Sequence, residues 1–151
     1  MSLFDTVSED VRKAMLAKEK DKLEALRAVK TAFLLARTEA GAGGELTPEA
    51  ELKIVQKLIK QRRESAEIYQ QQNRQDLADK ELLEASVIER YLPEQMSEQD
   101  LENVLKAIIE RVGAKAPSDM GKVMGVASKE LSGKADGKAI STKVKQMLSQ
   151  S

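Results

Sequence analysis

The apolar residues of this chain return every third or fourth position through nearly its whole length, and nowhere do they alternate over the span of a strand. That spacing lines them along one side of a helix with 3.6 residues per turn, so the expected fold is all-α. Helix punctuation divides the pattern. Phe4, Val7, Val11 and Met15 mark a first helix over about 4–18, and Leu23, Leu26, Val29 and Phe33 mark a second over about 21–39. Gly41-Ala42-Gly43-Gly44 breaks the run, since glycine adds chain entropy and no packing. Thr47-Pro48-Glu49 then has the order of a helix start: a capping hydroxyl, proline at the first position, and an acid near the positive end. Leu52, Val55, Leu58, Ile59, Ala66 and Tyr69 carry that third helix, Gln70 to Asn73 read as a turn, and a fourth helix over about 75–91 stops before Pro93. These four helices are the expected N-terminal unit, residues 1–92.

A second unit, residues 93–151, is expected to be a small three-helix bundle. Met96-Ser97-Glu98-Gln99-Asp100-Leu101 has the pattern of a capping box with a hydrophobic staple, and Leu101, Val104, Leu105, Ile108 and Val112 follow at helical spacing up to Gly113. Ser118 is the expected cap of a sixth helix bearing Met120, Val123, Met124, Ala127 and Leu131, which Gly133 ends. Asp136 is the expected cap of a seventh bearing Ile140, Val144, Met147 and Leu148.

Two absences narrow the chemistry. Without cysteine there is no thiolate nucleophile and no sulfur metal site, and without histidine the commonest general base and metal ligand are gone. No cofactor, metal or membrane partner is therefore expected, and a catalyst would have to run on carboxylates, lysine, tyrosine or an unassisted serine. The acids Asp5, Glu9 and Asp10 in the first turns do not have the basic-then-apolar order of a signal peptide, and the expected location is cytoplasmic. Aromatic residues make up 3% of the chain, too few for a platform that stacks several bases.

Charge is balanced overall at 25 cations and 25 anions, yet it is segregated. Residues 113–151 hold seven lysines against Asp119, Glu130 and Asp136, a net of +4, whereas residues 92–112 carry a net of −3. The basic end points to an anionic partner. On a helical wheel Gly121 and Gly125 share a side of the sixth helix with Lys122 and Lys129, away from its apolar stripe. The turn beyond adds Lys134 and Lys138, and Lys145 lies opposite the apolar stripe of the last helix. Bare backbone edged by ammonium groups suits close approach by a sugar-phosphate strand. Solvated lysines and helix–helix contact through small residues are the plain alternative. In the first unit Lys30, Arg37, Arg62, Glu81 and Glu84 fall on or beside apolar stripes. The expected role is an ion-pair network that fixes helix packing, with Arg62 bridging to Glu81 or Glu84; a carboxylate-based active site is the competing reading.

Lys60-Gln61-Arg62-Arg63-Glu64-Ser65, Tyr91-Leu92-Pro93, Met96-Ser97-Glu98, Asp119 through Gly125, and Gly133-Lys134-Ala135-Asp136-Gly137 together resemble the GatB/YqeY family over essentially the whole chain. The resemblance implies an all-helical N-terminal part followed by three C-terminal helices. Related modules form the tail of the GatB component of the glutamine-dependent aminoacyl-tRNA amidotransferase and are appended to some glutaminyl-tRNA synthetases. There they help hold tRNA near its elbow while other domains do the chemistry. A glutamine-dependent carbon–nitrogen ligase label would be inherited through that family, but this chain shows neither an ATP motif nor an ammonia-generating domain. The expected function is thus a tRNA-binding accessory module and not a self-sufficient enzyme. Its RNA-contacting residues would be Gly121, Lys122, Gly125, Lys129, Lys134, Lys138 and Lys145. The alternative is a protein–protein adaptor docking on an amidotransferase or synthetase through the Met120, Met124 and Met147 surface or the N-terminal helix pair.

Overall fold

Every regular element in the computed structural model is a helix, among the described residues 2–40 and 44–149. The all-α expectation holds. The chain divides into two compact units, Met1–Leu92 and Pro93–Ser151.

In the first unit α1 spans Leu3–Leu16, α2 Lys20–Ala40, α3 Pro48–Gln71 and α4 Gln75–Glu89. Local chemistry sets their ends. Ser2 and Asp5 form a reciprocal capping box at the start of α1, and Thr47 accepts from the Ala50 amide with Pro48 in the first helical position of α3. Lys18 and Asn73 take positive φ where α1 and α3 give way to the next helix, the residue type tolerant of that region in the second case. Gly41 to Gly43, read as a helix breaker, lie outside the described residues. Val7, Val11, Leu26, Val29, Phe33, Val55, Ile59, Ala85 and Ile88 are buried together, with α4 packed back along α3 and α1 along α2. One carboxylate joins this core: Glu51 is 3% exposed and accepts the Phe4 backbone N–H at 2.9 Å, occupying one of the orphan amides of α1.

In the second unit α5 spans Glu98–Val112, a single 3-10 turn covers Pro117–Asp119, α6 spans Met120–Glu130 and α7 Gly137–Ser149. Ser97 caps α5 by accepting from the Asp100 amide, and Gly113 ends it in the left-handed region at φ 70°. Ser118 does not cap the sixth helix. Pro117 starts a 3-10 turn that runs straight into α6, and the neighbouring Asp119 carboxylate accepts the Lys115 and Ala116 amides at 2.9 and 3.2 Å. Leu101, Leu105, Ile108, Val123, Ala127, Leu131, Ile140, Val144 and Leu148 form the core of this unit. Met120, Met124 and Met147 are partly buried against it, which removes most of the methionine surface that an adaptor was expected to use.

Candidate nucleic-acid interface

Burial of Val123, Ala127 and Leu131 fixes the rotation of α6 and turns its opposite side to solvent. Gly121, Lys122, Gly125 and Lys129 are all exposed there, within an arc of about 100° on a helix of 3.6 residues per turn. A Cβ added at Gly121 or Gly125 would meet nothing within 4 Å, so packing gives no reason for either glycine. Glycine in a helix interior nevertheless costs up to about 1 kcal/mol relative to alanine. What the two glycines create is a ridge of uncovered backbone with the Lys122 and Lys129 ammonium groups along one edge of it. The Asp119 carboxylate stands at the head of this ridge. Its hydrogen bonds from the Lys115 and Ala116 amides, with a smaller contribution from Lys122, hold it below the usual carboxylate range.

The turn after α6 is held by backbone bonds. Lys134 donates its amide to the Leu131 carbonyl at 2.9 Å, and Gly133 is buried with φ 76°. From the start of the unit, the Gln95 side-chain amide donates to the Gly133 carbonyl at 2.6 Å and the Met96 amide donates to the Lys134 carbonyl at 3.0 Å. These bonds bring Lys134, Lys138 and Lys143 around one open groove of about 590 Å³. Lys143 differs from the other two. Its side chain is 18% exposed and its Nζ lies 3.6 Å from Glu102 and 3.9 Å from Glu98.

The seven residues expected to contact RNA are all exposed, but the structure sorts them. Lys122 and Lys129 stand with the glycines on the α6 ridge, Lys134 and Lys138 share the groove, and Lys145 sits on α7 two turns beyond Lys138 without lining that groove. The expected set omits Lys143, although the groove needs it. It lies five residues after Lys138, about 140° round α7, so the two lysines bound the groove-lining face from opposite edges, and that spacing is the signal available in the sequence.

The charged residues of the first unit separate in the same way. Arg62 meets Glu84 at 3.5 Å, with side-chain exposures of 15% and 14%, and donates to the Leu58 carbonyl at 3.3 Å. Burial raises the Glu84 carboxyl above its ordinary range, while the Arg62 charge works against that and Glu81 adds to it. Arg37 instead lies over the Phe4 ring at 3.9 Å, a cation–π contact. Lys30 lines a shallow depression with Asp5, Ser8, Glu9 and Arg12. Surface pairs Lys80–Glu24 and Arg63–Glu89 link neighbouring helices. Tyr91 donates to Asp10 at 2.6 Å, and burial together with that bond pushes its phenol well above the usual range. Among the described residues there is no group of three or more metal-ligating His, Cys, Asp or Glu side chains. None of the described helices is long and apolar enough to cross a membrane.

Comparison with known proteins adds kinship to this geometry. The family model of the Yqey-like proteins matches residues 4–148. The chain is 30% identical over 139 residues to altered inheritance of mitochondria protein 41, mitochondrial, of Saccharomyces cerevisiae, covering 90% of this chain and 71% of that protein. It is 32% identical over 91 residues to the protein of the same name from Clavispora lusitaniae, covering 60% of this chain and 52% of the relative. For the one from Meyerozyma guilliermondii the figures are 36% over 89 residues, 59% and 46%. The chain thus spans about half the length of two of these relatives and about seven tenths of the third.

Proposed function

The chain belongs to the Yqey-like protein family, and on that footing we propose that it is a tRNA-binding accessory module whose second unit contacts the phosphate backbone. The observation that carries the reading is the α6 ridge: two exposed helical glycines with open space above them, edged on one side by Lys122 and Lys129. Backbone uncovered at those positions admits a strand closely, and lysines supply point charges that need no fixed hydrogen-bond geometry. Lys134, Lys138 and Lys145 extend the contact over the following turn and α7. The scarcity of aromatic residues favours recognition of shape and backbone over stacking. The proposed setting is the cytosol, whereas the relatives' names are of mitochondrial proteins.

The test is binding to total tRNA by fluorescence anisotropy across a salt series, for the wild type and a Lys122→Ala/Lys134→Ala/Lys138→Ala variant. Log affinity should fall linearly with log salt, and the variant should lose about 2–3 units of that slope while keeping its helicity. Absence of binding at low salt, or binding indifferent to the three lysines, overturns the reading. A second reading, an adaptor docking on an amidotransferase or synthetase, is favoured by the exposed apolar side chains Leu16, Leu35 and Met15 on α1 and α2. Capture of such an enzyme that survives ribonuclease and high salt would support it.

A further inference from the structure

The groove beside the ridge has a different chemistry from the ridge itself. Its floor is apolar, formed by Met96, Leu101, Ala135 and Ala139, and its rim carries Lys134, Lys138 and Lys143. Its volume of about 590 Å³ lies in the range of ligand sites, and it is open to solvent. A phosphate strand would gain nothing from the floor, and among the groove-lining residues there is no aromatic ring on which a base could stack. Solvent-facing walls that mix aliphatic surface with ammonium groups complement a chain in which carboxylates alternate with aliphatic side chains.

We propose that this groove docks an extended acidic peptide segment of a partner protein, placing its aliphatic side chains on the Met96–Leu101–Ala139 floor and its carboxylates against Lys134 and Lys138. Charge complementarity picks the occupant, and the groove's own anions define its limits. Asp136 and Glu98 also line it, and Glu98 with Glu102 already engages Lys143. The peptide carboxylates are therefore directed to the Lys134–Lys138 side, and Lys143 holds the α5 wall in place. The walls are fixed before any ligand arrives, because the Gln95 and Met96 bonds to Gly133 and Lys134 anchor the segment on one side to the turn on the other. A preformed site spares the ligand the ordering of its receptor.

Docking here goes beyond RNA contact, but it shares Lys134 and Lys138 with it, so the peptide and tRNA should compete. A fluorescein-labelled hexapeptide of alternating leucine and glutamate serves as probe for the full chain, with a leucine–lysine hexapeptide as control. The acidic peptide should bind with an affinity that falls as salt rises, and backbone amide NMR shifts should concentrate at 95–101 and 134–146. Ala139→Gln, an exposed α7 position, fills the groove without changing charge or core; it should weaken peptide binding at least tenfold and leave tRNA affinity within twofold. Lys122→Ala/Lys129→Ala should do the reverse. Failure of tRNA binding with intact peptide binding would sink the RNA reading alone. No binding of the acidic peptide at millimolar concentration, equal binding of the basic one, or shifts centred on α6 would overturn the docking proposal.

Discussion

Glu51 on α3 accepts the backbone amide of Phe4 on α1 at 2.9 Å, across 47 residues of sequence, and is itself 3% exposed. The carboxylate acts as a helix cap supplied from another helix: it satisfies an orphan N–H at the positive end of α1 and joins two elements of the core. Glu51→Ala should cost about 1–3 kcal/mol, because it leaves that amide without its acceptor. Glu51→Gln, which keeps an acceptor oxygen, should cost less. Urea denaturation of both variants checks the order, and equal losses would show that the carboxylate charge, which neither variant keeps, carries the contribution.

Arg62 and Glu84 predict a pH-dependent cost. Burial raises the Glu84 carboxyl above its ordinary value of 4.5, and Arg62 opposes that rise. A carboxyl raised in the folded state favours folding while protonated; its contribution is complete below the unfolded value and is lost as pH climbs through the folded one. Removing Arg62 raises the folded value further, so Arg62→Ala should destabilise more at pH 7.5 than at pH 4.5. At the higher pH the loss should be about 1–3 kcal/mol, below the figure for a fully buried pair because both side chains keep some solvent. A loss that is the same at both pH values would deny the coupling.

Tyr91 and Asp10 form a long-range polar pair, 81 residues apart. Tyr91→Phe should cost about 1–2 kcal/mol by stranding a half-buried acceptor. The phenol is raised above its ordinary 10.0, first by burial and then by the bond to Asp10. Its contribution is therefore complete below pH 10 and lost as pH rises beyond. Wild type should lose stability through the alkaline range more steeply than the Phe variant, which denaturation at pH 9 and pH 11 will show.

Glycine to alanine should have opposite signs at two places in the second unit. Gly125 sits mid-helix with open space around it, and Gly125→Ala should add about 0.5–1 kcal/mol of stability. Gly113 holds the left-handed position that ends α5, and Gly113→Ala should subtract about 1 kcal/mol although its surroundings are equally empty. If tRNA uses the ridge, Gly125→Ala should bind it more weakly while melting higher, a combination that simple destabilisation cannot produce.

Features set by neighbours in the sequence were readable from it. The stripes Val123-Ala127-Leu131 and Ile140-Val144-Leu148 are buried as their spacing requires, and Thr47-Pro48 starts α3 as a local cap should. Ser118 misled because Pro117 and Asp119 beside it, with their own local hydrogen bonds, made a 3-10 turn the better solution. Arg37 fell on the apolar stripe as the wheel requires, but its partner is the Phe4 ring, and no local pattern announces an aromatic contact between helices. Glu51 could have been suspected, since it lies four residues before Val55 and eight before Ile59 on the buried side of α3. Its partner, a backbone amide on another helix, has no sequence signature. The lysines of the second unit were individually legible; their division between ridge and groove depends on how the turn at Gly133 folds back on Gln95.

That fold-back has a mechanical meaning. The hydrogen bonds from Gln95 and Met96 reach the 133–134 turn before the chain enters α5. Tension applied at Pro93 would therefore pass first into that turn, and the first turn of α5 would carry load only after those bonds had broken. The turn that bears Lys134 is in this sense a clasp, and an extension experiment on the second unit should show it opening as a distinct early event.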